Sequence, residues 1–201
     1  GTHKVTISTE NGTKTEVEVK VAESAVKAVT PSPASLGAED CTTAWWSVFT
    51  ENMKVPAGKT YEFNFTNYSS LAGNWNNYVV ILRKADLAEY AVLRSDNYGW
   101  GNGYAACTPI GTQCDVYGDW APWLAAMNGA KVKLYVTNCN NGRADIQAIV
   151  TGTDGTVTTQ SYLGINTIDP SDLNVAFTVD GSHLKFGAAS ARKHYTRAHR
   201  R

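Results

Sequence analysis

This sequence predicts an all-β fold: a two-sheet antiparallel β-sandwich of jelly-roll kind with a short helix, preceded by a β-hairpin. Three observations lead there. Apolar and polar residues alternate in short runs such as Tyr61-Glu62-Phe63-Asn64-Phe65, the period of a half-buried strand. Turn signals such as Asn140-Asn141-Gly142, Thr153-Asp154-Gly155 and Asp180-Gly181-Ser182 separate the runs at short spacing. Charged residues are only 18% of the 201, with Gly, Asn, Thr and Tyr plentiful, which suits strands and turns better than helices.

In chain order, His3 to Val21 alternates through Val5, Ile7, Val17, Val19 and Val21 about a central Asn11-Gly12, a strong hairpin signal. Ala22 to Pro33, with Thr30-Pro31-Ser32-Pro33, reads as a linker. The main domain is expected to begin near Ser35 and to pass through a polar approach into Trp45-Trp46-Ser47-Val48-Phe49. If that stretch is extended, its two tryptophans point to opposite faces, one core and one exposed. Strands follow at Tyr61–Tyr68, Asn77–Lys84 and Glu89–Ser95. Gly101 to Tyr117 reads as loop. Asp119 to Met127 is the helical stretch, with Asp119 as cap and Trp120 and Trp123 on one face. Lys131–Thr137, Asp145–Thr151 and Val157–Tyr162 read as a meander, and Leu173–Val179 with His183–Phe186 as a last pair. The expected divisions are 1–30 for hairpin and linker, 35–188 for the sandwich, and 189–201 for a basic, disordered tail.

The formal net charge of zero hides an asymmetry, because Arg192, Lys193, Arg197, Arg200 and Arg201 fall in the last ten residues. Without them 13 basic residues face 18 acidic ones, which argues against nucleic-acid binding by the folded part. No apolar run approaches the length of a membrane span. Four cysteines without metal-ligand spacing favour disulfides and an extracellular or cell-surface setting. Cys107 and Cys114 flank a turn-rich loop that a bridge would close, leaving Cys41 with Cys139; this is one of three possible connectivities.

No Glu-x-Asp-x-Glu run of a sandwich glucanase occurs, and the carboxylates inside strands, Glu62, Glu89 and Asp145, are far apart in sequence. There is no Gly-x-Ser-x-Gly, phosphate loop or dinucleotide fingerprint. His183, just after a turn, reads as structural. The chain is expected to be no enzyme and to need no cofactor. A structural Ca²⁺ on Glu39, Asp40 and Asp169 or Asp172 is a weak candidate.

Two segments stand out: Gly73-Asn74-Trp75-Asn76-Asn77-Tyr78 and Ser95-Asp96-Asn97-Tyr98-Gly99-Trp100-Gly101-Asn102. Each sets aromatics among short amides at the edge of an apolar run. Buried amides need partners, whereas sugar C–H faces pack on indole and sugar hydroxyls pair with amides. The plainer alternative has the tryptophans in the core and the asparagines as turn formers. The candidate ligand-binding residues are Trp46, Trp75, Asn76, Asn77, Arg94, Asp96, Asn97, Tyr98 and Trp100, with Tyr78 and Tyr104 as further exposed aromatics. Arg94 and Asp96 share a strand face and either read sugar together or pair with each other.

The hairpin resembles the closing strands of a bacterial immunoglobulin-like repeat; a rival reading is that it belongs to the main domain's sheet. Trp45-Trp46, Phe65-Thr66-Asn67-Tyr68, Asn74-Trp75-Asn76-Asn77, Leu93 to Gly101 and Asp180-Gly181-Ser182-His183-Leu184 resemble modules of secreted or surface proteins of Bacteroidetes. There such modules accompany Ig-like repeats, glycoside hydrolases and glycan-capture lipoproteins. The resemblance runs from about Ala38 to Phe186, and the four cysteines and basic end depart from it. It implies a jelly-roll carbohydrate-binding module. The function expected is non-catalytic binding of a polysaccharide, a β-glucan first. The alternative is a structural or adhesive surface domain of a fibre, filament or virion. Neighbouring domains or subunits of a larger surface protein are expected partners.

Overall fold

The computed structural model describes residues 2–8, 11–12, 14–20, 26–70, 77–96, 105–108 and 113–187. Among them the fold is a two-sheet β-sandwich with a separate hairpin. The hairpin strands β1 (Thr2–Ser8) and β2 (Lys14–Lys20) pair only with each other, with Val5 opposite Val17 and Ser8 opposite Lys14. That register centres on Asn11, so the connecting loop has an odd number of residues rather than the two an Asn-Gly signal suggests. Gly12, within that loop, takes the left-handed conformation at φ 83°, which glycine adopts without steric cost.

The larger sheet is built on β6 (Thr60–Ser69), whose alternating sequence buries Phe63 and Phe65. Ten residues span roughly 30 Å, long enough to hold several neighbours. One edge takes β10 (Ala130–Asn138), followed outward by β11 (Ala144–Thr151), β12 (Val157–Ile165) and β9 (Ala105–Thr108). The other edge is shared. Near Thr60 it takes β3 (Val26–Ala28) in parallel, and from Phe65 to Ser69 it takes β14 (Ser182–Phe186), which carries the short β4 (Ser35–Leu36). The smaller sheet runs β5 (Met53–Lys54), β13 (Asn174–Asp180), β7 (Asn77–Arg83), β8 (Glu89–Arg94).

The core lies between the sheets. Tyr78, Val80, Leu82, Leu93, Val175 and Phe177 face Phe63, Phe65, Leu134, Ile146, Leu184 and Phe186. A four-residue helix α1 (Gln113–Val116) precedes α2 (Trp120–Met127). Asp119 caps α2 by accepting from the Trp120 N–H at 2.6 Å. Trp123, Leu124 and Met127 enter the core, and Trp120 stacks beside Trp123 at 4.7 Å between centroids, as the three-residue spacing predicts.

The structure corrects four expectations. Part of the expected linker is strand β3, because the β6 edge near Thr60 is left open by β14 and accepts it. The stretch expected as loop contains β9 and α1, and β9 finds its partner in distant β12 rather than in a local hairpin. The expected last hairpin does not form: β13 pairs with β7 and β14 with β6. One residue, Gly181 at φ 64°, turns the chain from one sheet to the other, and its N–H donates to Thr43 O at 2.9 Å. Beneath this corner Gly37 (φ 84°) leaves no room for a side chain, since a Cβ there would lie 2.5 Å from Ser182 O.

The fourth correction concerns the cysteines. Cys41 and Cys139 are thiols, not a bridge. Cys41 lies against the backbone of His183, which pairs with Tyr68 near one end of β6. Cys139 follows Asn138 at the other end, where Thr137 pairs with Thr60. A disulfide needs Cα atoms within about 7 Å, far less than the length of β6. Burial raises the pKa of both thiols, with Asp40 adding to the effect at Cys41 and Asp145 at Cys139. The side chains of Cys107 and Cys114 lie outside the described residues. Non-reducing peptide mapping should therefore return no Cys41–Cys139 cross-link, and both thiols should alkylate slowly at neutral pH until the protein unfolds.

Candidate functional site

The two amide-and-aromatic segments have neighbouring roots. The first leads into β7 and the second leaves β8, and Val79 pairs with Arg94. One step further on, the Ser95 N–H donates to Tyr78 O at 3.1 Å. On the other side of β7, Asn77 pairs with Asp180 of β13, and the next residue, Gly181, bonds the loop that holds Trp45 and Trp46. Both segments and the tryptophan pair therefore attach at one end of the smaller sheet.

Trp45 and Trp46 are not on opposite faces of a strand. Trp46 takes a left-handed φ of 62°, which folds the pair together at 4.9 Å between centroids. Trp45 is 41% exposed and Trp46 half-buried, with its edge against Phe49 at 5.5 Å. A non-glycine residue in that region costs on the order of 1–3 kcal/mol. Here the strain sits beneath an exposed aromatic surface.

Three expected surface residues prove to be interior. Asn77 is 1% exposed and holds a left-handed φ of 49°, which asparagine tolerates better than most residues. Its Oδ1 accepts from Asn67 Nδ2 at 3.2 Å, and its carbonyl accepts from Ser182 Oγ at 2.6 Å. It joins β7 to β6 and β14 and offers nothing to a sugar. Tyr78 follows it inward, fully buried against Phe65, its hydroxyl donating to Gln160 Oε1 at 3.4 Å. Asp96 has no exposed surface and takes Arg94 Nη2 at 2.6 Å, so the plainer reading of that pair holds. The Arg94 side chain keeps 27% exposure. Trp75, Asn76, Asn97, Tyr98, Trp100 and Tyr104 lie outside the described residues.

Gln160 was not singled out by the sequence reading. It is fully buried on β12, where Nε2 donates to Ser95 O at 3.2 Å while Oε1 takes the Tyr78 hydroxyl. It thereby ties the larger sheet to the root of both segments. The available signal was a glutamine at an inward position of an alternating strand, between Thr158 and Tyr162. Asn67, within the sequon Asn67-Tyr68-Ser69, is likewise fully buried and cannot carry a glycan as it stands.

The carboxylates do not converge. Asp40 lies at the His183 end and binds Thr42, whereas Asp172 bonds Ala85 beyond the far end of β7 and Asp169 binds Ser171. No group of three metal-ligating side chains forms among the described residues, so the Ca²⁺ candidates are not brought together. The pKa of Asp40 and of Asp169 is lowered, first by the Thr42 and Ser171 hydroxyls and then by the backbone N–H of the same residues. Glu62 and Asp145 stand two strands apart on the larger sheet, and Glu89 is on the smaller one. His183 is 3% exposed, with Nδ1 at 2.7 Å from Gly37 O and Nε2 at 3.3 Å from Ser35 Oγ. Since a carbonyl only accepts, Nδ1 carries a proton and donates to Gly37 O, while Nε2 and Ser35 Oγ share the second hydrogen bond. Both ring nitrogens serve the β4–β14 corner.

No helix among the described residues is long and apolar enough to cross a membrane. No protein-family model and no curated protein matches the chain.

Proposed function

We propose that the chain is a non-catalytic carbohydrate-binding module of jelly-roll kind that holds a polysaccharide, a β-glucan first, at the Trp45–Trp46 end of the smaller sheet. The observation that carries this reading is the common root of the two aromatic-and-amide segments, which enter and leave the β7–β8 hairpin at one end. Ser95 N–H on Tyr78 O at 3.1 Å ties their bases together. Trp45, 41% exposed and stacked on Trp46, adds an aromatic surface at the same end. An indole ring gives a pyranose face hydrophobic and C–H/π contact, about one kcal/mol or more per ring by analogy with aromatic pairs. The polar readers are Asn76, Asn97 and the exposed part of Arg94. Asn77 and Asp96 act as buried supports at the root of the two segments.

Affinity gel electrophoresis through a soluble β-glucan tests the reading. The wild-type chain should be retarded, and Trp75→Ala/Trp100→Ala should migrate as in a glucan-free gel while melting within a few degrees of wild type. Unchanged retardation of the double variant removes the proposal.

A further inference from the structure

The outward face of the larger sheet carries a second feature, independent of the loop end. An open groove of about 400 Å³ crosses β14, β6, β10 and β11. Its walls include Lys131, Lys133 and Lys185, with Asn64 and Thr66 of β6 between them and Ile149 of β11 beyond Lys133. The strand alternation that puts Phe63 and Phe65 in the core sends Asn64 and Thr66 to this face. The same rule turns Val132 and Leu134 in and the two β10 lysines out.

Register sets the spacing of the charges. Lys185 and Lys131 both pair with Thr66, from opposite sides. They are therefore two strand spacings apart, about 10 Å, and Lys133 is two residues along β10, roughly 7 Å from Lys131. Lys131 Nζ donates to Thr66 Oγ1 at 2.7 Å. Lys133 makes no ion pair among the described residues. Lys185 meets Glu39 at 3.3 Å, but their side chains are 52% and 82% exposed, so water and salt weaken that pair. The nearby carboxylate of Glu62 accepts from Asn64 Nδ2 at 2.8 Å and remains one negative group near three lysines. Three cationic groups thus ring one groove on a body whose charge outside the last ten residues is 13 basic against 18 acidic.

We infer that this groove binds an acidic polysaccharide, with carboxylates of uronate rings on the three lysines and ring faces over Ile149 and the lysine stems. Charge complementarity selects an anionic ligand. The hydroxyl and amide of Thr66 and Asn64 suit sugar hydroxyls, and the aliphatic stems suit C–H faces. A peptide strand is disfavoured because the groove lies on a sheet face rather than an edge, where no backbone ladder can form. Nucleic acid is disfavoured because no arginine lines the groove to fork onto phosphate or stack on bases.

Gel electrophoresis through sodium polygalacturonate, with neutral β-glucan, polyglutamate and duplex DNA as parallel probes, tests this. Wild type should be retarded by polygalacturonate, less so at high salt, and more than by polyglutamate or DNA. Lys131→Gln/Lys133→Gln/Lys185→Gln should lose about tenfold or more in apparent affinity, as three exposed ion pairs allow, while β-glucan retardation stays unchanged. Thr151→Trp fills the groove without touching its charge and should weaken retention too. A third variant, with Arg192, Lys193, Arg197, Arg200 and Arg201 all changed to Gln, isolates the basic end and should retain binding. Wild-type retention by the lysine triple, loss only in the tail variant, or equal retardation by polyglutamate or DNA each overturns the inference. None of these outcomes touches the loop-end reading, which stands or falls on neutral glucan.

Discussion

Phe177→Ala should lower the stability of the sandwich by about 3–5 kcal/mol, the usual cost of deleting a buried phenylalanine ring. For a chain of this size that corresponds to a fall of roughly 10 °C or more in the melting midpoint. The size of the effect follows from where the ring sits. Phe177 is fully buried on β13, and its partners come from the other sheet: Phe63 at 5.0 Å, Phe65 at 5.8 Å and Phe186 at 5.1 Å between centroids. All three contacts are edge-to-face, the geometry in which an aromatic pair adds to plain area burial. Truncation removes the ring at which β6 and β14 meet β13, and rigid strands on both sides cannot collapse into the space. Phe177→Leu keeps most of the volume and should cost less than half as much. Chemical denaturation checks both, with the midpoint moving and the slope against denaturant unchanged. An alanine variant as stable as wild type would show that the sheets do not meet at this ring.

The same residues show what the sequence made legible. Alternation over Tyr61–Phe65, Lys131–Thr137 and Asp145–Thr151 marked the strands, and in the first it placed Phe63 and Phe65 inward, with Tyr61 half-buried at the strand's start, because a strand with one buried face must repeat every two residues. The Asp119 cap was legible because capping is a contact between near neighbours in the chain. Pairing of distant strands was not. Nothing local marks β3 for the open edge of β6, β9 for β12, or Gly181 as a corner between sheets rather than the tip of a hairpin. The cysteine pairing failed for a related reason: an even count says nothing about the length of strand between two thiols. In the candidate site the limit was burial. Composition marks Asn77, Tyr78 and Asp96 as possible surface readers. Whether such a group faces water depends on partners up to 105 residues away, such as Ser182 for Asn77. Gln160 was overlooked because a single polar residue in an alternating strand looks like noise until its two partners are seen.

Asp96 gives the second large effect and separates a support from a sugar reader. Asp96→Leu should cost about 3 kcal/mol or more, because it leaves the largely buried Arg94 guanidinium without the carboxylate at 2.6 Å. Arg94→Met/Asp96→Leu should recover much of that loss, since removing both charges also removes the cost of desolvating them. A residue that only reads a ligand behaves the other way. Its removal weakens retention on glucan and leaves the melting midpoint where it was. The expected pattern is therefore a large stability loss for the single variant, partial rescue by the double, and glucan retardation of the double that falls no further than the loss of Arg94's exposed donors accounts for. Single and double variants that match wild type in stability while losing retention would return Asp96 to the surface. The root of both segments would then have to be rebuilt without a buried ion pair.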